Sequence, residues 1–238
     1  MRGRVKAHIN WDGYTGGGVI LPVCPRSPAI RRRNLVASLE ALRERTDRIR
    51  LVLCDTLDRH NLSGTDTERE ARRAGDQWLQ SCLPDIRRFF PSVDQPLNLF
   101  RWDDVRKDPS FAQRHDVLIT MYRSSEAVRM VIERIAGQYL KKRDAHLKKY
   151  GLSFDRDREM ARSAVYLIEE FAGTAVYNAW FSGTPEAYWG VYVGNTQIFN
   201  QLNTVDKTVD LTLPHTLAIG LRSLEPAVAG ERDPSVAA

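Results

Sequence analysis

Two small groups of residues have types and spacings that can do chemistry. The first is Cys24 with Ser27 three residues on, in "GVILPVCPRSPA". An apolar run ends at the cysteine and prolines follow, so the thiol stands where a buried strand gives way to a loop. Such a thiol is either an inert packed group or a nucleophile, the latter where its surroundings favour the thiolate. The second group is Tyr166 and Glu170 in "AVYLIEEFAG". One helical turn separates them, so their side chains meet on one face. A phenol and a carboxylate held together can bind an ammonium group and move protons.

The elements that must position these residues follow from periodicity. "GVILPV", "IRLVLCD", "LNLFRW", "YWGVYV" and "VDLTLP" have strand character. The second is continuously apolar, as a central strand covered on both faces would be. Helical segments lie between them: "NLVASLEALRERT", "DTEREARRAGDQWLQSCLPDIRRFF", a long stretch from "DPSFAQRHDV" to "LKKYG" in two pieces, and "DRDREMARSAVYLIEEFAGTAVYNAW". This order predicts an α/β protein with a mostly parallel sheet and late antiparallel or edge additions. The ends of the first two strands then bring Cys24, Cys54, Asp55 and Asp58 to one edge, where such sheets bind ligands. Residues 1–224 are expected to form one catalytic domain, with the small, proline-bearing tail 225–238 disordered.

On the last helix, Ala164, Val165, Leu167, Ile168, Phe171, Ala172, Ala175 and Ala179 cover a broad apolar arc. Tyr166 and Glu170 lie opposite, and Gly173, Tyr177 and Trp180 continue their stripe. That stripe is either a solvated face or the wall of a polar pocket. Glu169 points about 100° away from Glu170 and reads as a plain solvent residue.

The chain of 238 residues carries a net charge of +5, which suits an acidic partner such as nucleic acid. Its three cysteines include no CxxC pair, against both a disulfide framework and a structural zinc site. The glycines of "DGYTGGGVI" precede a strand instead of linking strand to helix, so they read as a turn and not as a dinucleotide fingerprint. No Walker motif is present, and ATP chemistry has no support. "MRGRVKAHINWDGY" lacks the apolar core of a signal peptide and no window approaches a membrane span, so a soluble cytosolic protein is expected. Basic residues cluster at Arg31–Arg33, at Arg72, Arg73, Arg87 and Arg88, and at Lys141, Lys142 and Arg143. They are either solvated helix faces or a surface that tracks phosphates.

Together these features resemble the cyclodipeptide synthases, enzymes that use two aminoacyl-tRNAs to make a diketopiperazine. The resemblance runs over residues 17 to 215 and rests on "YLIEE", which matches the family's tyrosine, three residues, glutamate. "YWGVYVGNTQI" looks like the downstream strand with its tyrosine, here Tyr192, with Val193 where histidine or proline is expected. "ILPVCPRS" lies on the N-terminal pattern, Cys24 standing in the place of the serine that accepts the first aminoacyl group. There Pro22 replaces a glycine and Ser27 an asparagine. "CDTLDRHNL" is loosely similar to an arginine-using fungal group.

The resemblance implies a Rossmann-like sheet flanked by helices, similar to a class I aminoacyl-tRNA synthetase catalytic domain. It implies aminoacyl-tRNA as partner, and no cofactor, metal or membrane. An aminoacyl-tRNA is already an activated ester, which fits the missing phosphate motifs. By this resemblance Cys24 takes the first aminoacyl group, with Ser27 as the alternative nucleophile. Tyr166 and Glu170 hold its α-ammonium, Glu170 accepts a proton from the second amine, and Tyr192 relays a proton at cyclisation. An arginine substrate would want a carboxylate, and Asp55, Asp58 and Glu169 are the candidates; "CDTLD" could equally cap the next helix. Other readings are a ligase that never cyclises, a non-catalytic RNA-binding protein and, least of all, a cysteine hydrolase, since no histidine is placed near Cys24.

Overall fold

Alternation along the strands decides which side chains face which layer of helices. The computed structural model describes residues 5–27, 30–62, 64–96, 98–148, 155–189 and 216–223. In β2 (Val19–Val23) and β3 (Ile49–Leu53), Val19, Leu21, Val23, Ile49, Leu51 and Leu53 pack against α1 (Arg32–Arg43) and α2 (Thr67–Phe89). Ile20 and Val52 point the other way, into the core built on α6 (Arg156–Trp180). With both faces covered, these strands need the near-continuous apolar sequence they have.

The remaining strands are β1 (Val5–Ile9), β4 (Leu99–Arg101), β5 (Glu186–Trp189) and β6 (Thr216–Ser223), and the sheet order is β1-β6-β5-β2-β3-β4. All pairings are parallel except that of β1 with β6. Leaving out β1, the parallel strands run third, second, first, fourth, fifth along the chain, the order of a Rossmann half-sheet. The chain turns from one side of β2 to the other between β2 and β5, so the topological switch point lies between those two strands.

The expected mostly parallel sheet is therefore present, and the antiparallel addition is the edge strand β1. "VDLTLP" lies outside the described residues, as do Tyr192, Val193 and the tail from 224 on. β1 and β6 were not anticipated. In β1 only Ala7 and Ile9 are buried while Lys6 and His8 face out, too short an alternation to stand out from the sequence. The expected helices all form, and the long one breaks in two, α4 (Pro109–Ser124) and α5 (Glu126–Lys148), behind the short α3 (Trp102–Lys107). Gly16, Gly17 and Gly18 all have positive φ, which explains three glycines in the turn that feeds β2.

The helix α6 begins where the Asp155 carboxylate accepts hydrogen bonds from the backbone N–H groups of Asp157 and Arg158, both at 3.1 Å. Asp157 and Glu159 in its first turn complement the helix dipole. From Phe171 to Tyr177 every residue is buried, because this half runs between the sheet and the other helices. The expected apolar arc holds except at its ends: Val165 is 44% exposed and Ala179 is also exposed. Neither is covered by a neighbouring element.

Candidate active site at the switch point

Pro22 shapes the site. Even-numbered residues of β2 turn their backbone N–H towards β5, as when the Ile20 N–H donates to the Pro185 carbonyl at 2.8 Å. Pro22 has no N–H to continue that ladder, and the β2–β5 register is confined to Ile20 opposite Glu186. On its other edge β2 pairs with β3 from Val19 to Val23. The strands thus remain joined at their base and lose their pairing towards their carboxyl ends, at the switch point where ligands bind in such sheets.

Cys24 follows β2 at this opening, half-buried, and the Ser27 N–H donates to its carbonyl at 2.9 Å to close a turn. Its sulfur lies 3.8 Å from the Tyr166 hydroxyl on α6. Cys54 follows β3 at the same level, and its N–H donates to the Val23 carbonyl at 2.8 Å. A hydrogen bond to Cys24, together with burial, pushes the Cys54 thiol well up, so it stays protonated beside its neighbour. Of the two thiols Cys24 is the accessible one. It is also the one that reaches Tyr166; Ser27 stands one turn further on.

Glu170 lies one turn along α6 from Tyr166. It keeps some accessible surface, yet the protein around it desolvates its carboxyl and pushes it up to about 7. Among the described residues no arginine, lysine or histidine forms an ion pair with it. Tyr166 is pushed well up, first by desolvation and then by Cys24 and Glu170. The tyrosine therefore stays a neutral hydrogen-bond donor while the carboxyl is poised to take or give a proton near neutral pH.

Two further residues belong here that sequence reasoning did not single out. Glu186 and Tyr188 alternate on one face of β5, opposite α6. Glu186 is 1% exposed, and its Oε2 accepts a hydrogen bond from the Tyr177 hydroxyl at 3.2 Å. Burial and the nearby Glu170 push its carboxyl up to about 8, against the lowering effect of that hydrogen bond. Tyr188 is pushed up by desolvation, then by Glu170, Cys24 and Glu186. The only sequence signal was the period of two in "EAYW", which means nothing until the register with β2 is known.

The expected substrate carboxylates are engaged elsewhere. Glu169 is not a solvent residue: it is 3% exposed and bound by Arg59, by His60 Nε2 at 2.8 Å and by Trp102 Nε1 at 2.8 Å. Burial alone would raise its carboxyl, but these partners outweigh it and hold it at about 2. Asp55 is buried and bound by Arg101, while Asp58 accepts from Asn61 at 2.8 Å and pairs with Arg26 at 3.3 Å. Asp55 stands at the N-cap position of the 3-10 segment Thr56–Asn61 but makes no side-chain capping hydrogen bond there, and the N-cap position of the next α-helix is Asp66. These pairs fasten the 3-10 segment Thr56–Asn61 and α3 to the sheet and to α6, and so fix the height of Tyr166 and Glu170. Gly173 is part of the same fastening, since a methyl there would overlap the Trp102 ring. Gly173→Ala is expected to cost about 1–3 kcal/mol of stability, read as a lowered unfolding midpoint.

Of the basic candidates, Arg72, Arg73, Arg87 and Arg88 project from exposed positions of α2. Arg72 pairs with Asp103, Arg87 pairs with Asp94 at 2.8 Å, and Arg88 lies over the Phe89 ring. Lys141 is exposed on α5; the side chains of Lys142 and Arg143 lie outside the described residues.

A parallel doubly wound sheet with a thiol, two tyrosines and two carboxyls at its switch point defines a Rossmann-like α/β protein. No family model matches the chain, and no curated relative does. Its shape does match solved structures. A cyclodipeptide synthase from Fluoribacter dumoffii superposes with a TM-score of 0.73 at 16% identity, over 93% of this chain and 100% of that one. One from Candidatus Glomeribacter gigasporarum bound to Phe-tRNAPhe gives 0.60 at 19% identity, over 93% and 95%. A Mycobacterium tuberculosis protein whose structure relates cyclodipeptide synthetases to type I tRNA synthetases gives 0.56 at 13% identity, over 87% and 86%. The chain has the cyclodipeptide synthase fold. Among the described residues no helix is long and apolar enough to cross a membrane.

Proposed function

We propose that this chain is a tRNA-dependent cyclodipeptide synthase with a cysteine as its nucleophile. The observation that carries the reading is the Cys24 sulfur 3.8 Å from the Tyr166 hydroxyl, at the switch point of this fold and one helical turn from Glu170. In the first step Cys24 attacks the carbonyl of an aminoacyl-tRNA. A thioester forms, the ester to the terminal ribose breaks, and the thiol proton leaves with the ribose oxygen. Tyr166 and Glu170 hold the α-ammonium of the acyl group. In the second step the amine of another aminoacyl-tRNA attacks the thioester, and Glu170 takes its proton. The amide forms as the thioester breaks and the Cys24 thiolate leaves, so the dipeptide stays on the second tRNA. Cys24 then takes it from that ester, freeing the ribose hydroxyl, and the free amine of this dipeptidyl-enzyme displaces the thiol to close the diketopiperazine.

Tyr188, on the α6-facing side of β5 and within electrostatic reach of Glu170 and Cys24, suits the proton relay of cyclisation; Tyr192 keeps the same role as the alternative, and phenylalanine variants of each separate them. The tRNA is proposed to lie across Arg72, Arg73, Arg87 and Arg88 on α2 and Lys141, Lys142 and Arg143 on α5, by phosphate contacts. Residues 1–224 are proposed as one catalytic domain, and arginine as one of the amino acids used.

Production of the chain in a bacterium, which supplies its own aminoacyl-tRNAs, tests the reading. Diketopiperazines, each a dipeptide less one water, are expected in the medium. A linear dipeptide instead would mark a ligase that does not cyclise. Cys24→Ala is expected to abolish product, Cys24→Ser to retain part of it, and Ser27→Ala to leave it near the wild-type level. Product from Cys24→Ala that is lost in Ser27→Ala would move the nucleophile to Ser27.

A further inference from the structure

The buried carboxylates of the described chain divide into two kinds. Asp55 is answered by Arg101, Asp58 by Arg26, Glu159 by Arg162, and Glu169 by Arg59 and His60. Glu186 is buried as deeply as Asp55, yet no cation of the described residues lies within ion-pair distance of it. Its Oε2 accepts a hydrogen bond from the Tyr177 hydroxyl, at 3.2 Å. A buried carboxylate without a cation costs several kcal/mol unless it is protonated or a ligand brings the charge.

The position of Glu186 says which ligand would bring it. It shares the α6-facing side of β5 with Tyr188, and it stands opposite Ile20, four residues before Cys24. At the rise of a parallel strand that is about 13 Å below the thiol, with the unpaired stretch of β2 and β5 between. An acyl group held on Cys24 with its α-ammonium at Glu170 would need a long side chain to come near the floor. The two carboxyls sit close enough for the charge of one to disfavour ionisation of the other. Two positive charges on the ligand relieve both, and an aminoacyl group with a cationic side chain has two.

We infer that Glu186 is the specificity residue for the first aminoacyl group and selects a long cationic side chain, a guanidinium or a primary ammonium. This rests on the acyl-transfer reading above and moves the cation-binding role away from Asp55, Asp58 and Glu169, which the protein's own arginines hold. The Tyr177 hydroxyl donates to Oε2 and so orients the carboxyl that would receive the cation. An empty site keeps the acid neutral, and the bound cation ionises it. Glutamine reproduces the neutral acid in size, so Glu186→Gln keeps the packing and removes only the ability to become charged.

The test uses the purified full-length chain and intact-protein mass spectrometry. The protein is mixed with arginyl-, lysyl-, leucyl- or phenylalanyl-tRNA, and acylation of Cys24 is followed. Wild type is expected to take the arginyl or lysyl group in preference to the neutral ones. Glu186→Gln is expected to lower that preference about ten- to a hundredfold, the loss of one charged hydrogen-bonded pair. Wild type acylated only by leucyl or phenylalanyl groups, or a preference unchanged in Glu186→Gln, overturns the inference and leaves acyl transfer standing. No acylation by any of the four, with no diketopiperazine in cells, overturns the acyl-transfer reading and the inference with it. Should the variant fail to fold, the wild-type comparison decides alone.

Discussion

Glu170→Gln is expected to lower diketopiperazine formation about 10²–10⁴-fold, the usual worth of a positioned acid–base group. The substitution keeps the shape and hydrogen-bonding capacity of the neutral acid, so the fold has no reason to suffer. What it removes is a group pushed up to about 7 by desolvation, and so able to accept the proton of an attacking amine at neutral pH. It also removes the charge that holds the α-ammonium of the acyl group. Binding of uncharged tRNA should stay within about twofold of wild type, because phosphate contacts on basic helices supply that affinity. The measurement is product formation by mass spectrometry beside a tRNA-binding titration and a melting curve. Wild-type product formation by Glu170→Gln would remove the carboxylate from the mechanism, and loss of tRNA binding in step with activity would point to a folding defect instead.

Part of this arrangement was legible in the sequence. The i, i+4 spacing placed Tyr166 and Glu170 side by side, and the strand ending at Cys24 put its thiol at the carboxyl edge of the sheet, where it meets Tyr166. Both signals are local, and local geometry is what a sequence encodes most directly. The wrong reading of Glu169 has the opposite origin. A helical wheel shows direction but not what arrives from elsewhere, and here Arg59, His60 and Trp102 arrive from two other elements to bury it. Glu186 and Tyr188 were out of reach for the same reason. Their place follows from a parallel pairing between β2 and β5, with Ile20 opposite Glu186 from the far end of the chain, a contact no local pattern announces. The interruption of that pairing was in plain sight as Pro22, but a proline at a strand end has meaning only once its N–H is known to face a neighbour.

Thermal stability is expected to peak on the acid side of neutrality, with different carboxyls responsible for the two limbs. Glu169 lies low in the folded chain, at about 2, so its contribution is present above the unfolded carboxylate range and is lost as pH falls through that folded value. Going from the ordinary 4.5 to about 2 is worth about 3 kcal/mol at one unit per 1.4 kcal/mol. Glu170 and Glu186 act in the other sense. Their folded values, about 7 and about 8, lie above the ordinary 4.5, so the native state binds more protons than the unfolded one between those limits. Stability therefore falls as pH rises from about 4.5 to about 8, then levels off. Melting curves from pH 3 upward in small steps read both limbs. Glu186→Gln should flatten the alkaline limb by removing the group with the higher value, and adding Glu170→Gln should remove most of what is left. Glu169→Gln should abolish the acid limb and lower the curve above it by about 3 kcal/mol, because the half-buried Arg59 and His60 lose the carboxylate they share. An alkaline limb that survives in the double glutamine variant would show that these two carboxyls are not the groups that charge on the way up. Because the charging of Glu186 opposes folding at high pH, a bound cation beside it should remove its share of the alkaline limb, so an enzyme acylated with an arginyl group should lose more of that limb than one carrying a leucyl group, whose α-ammonium answers Glu170 alone.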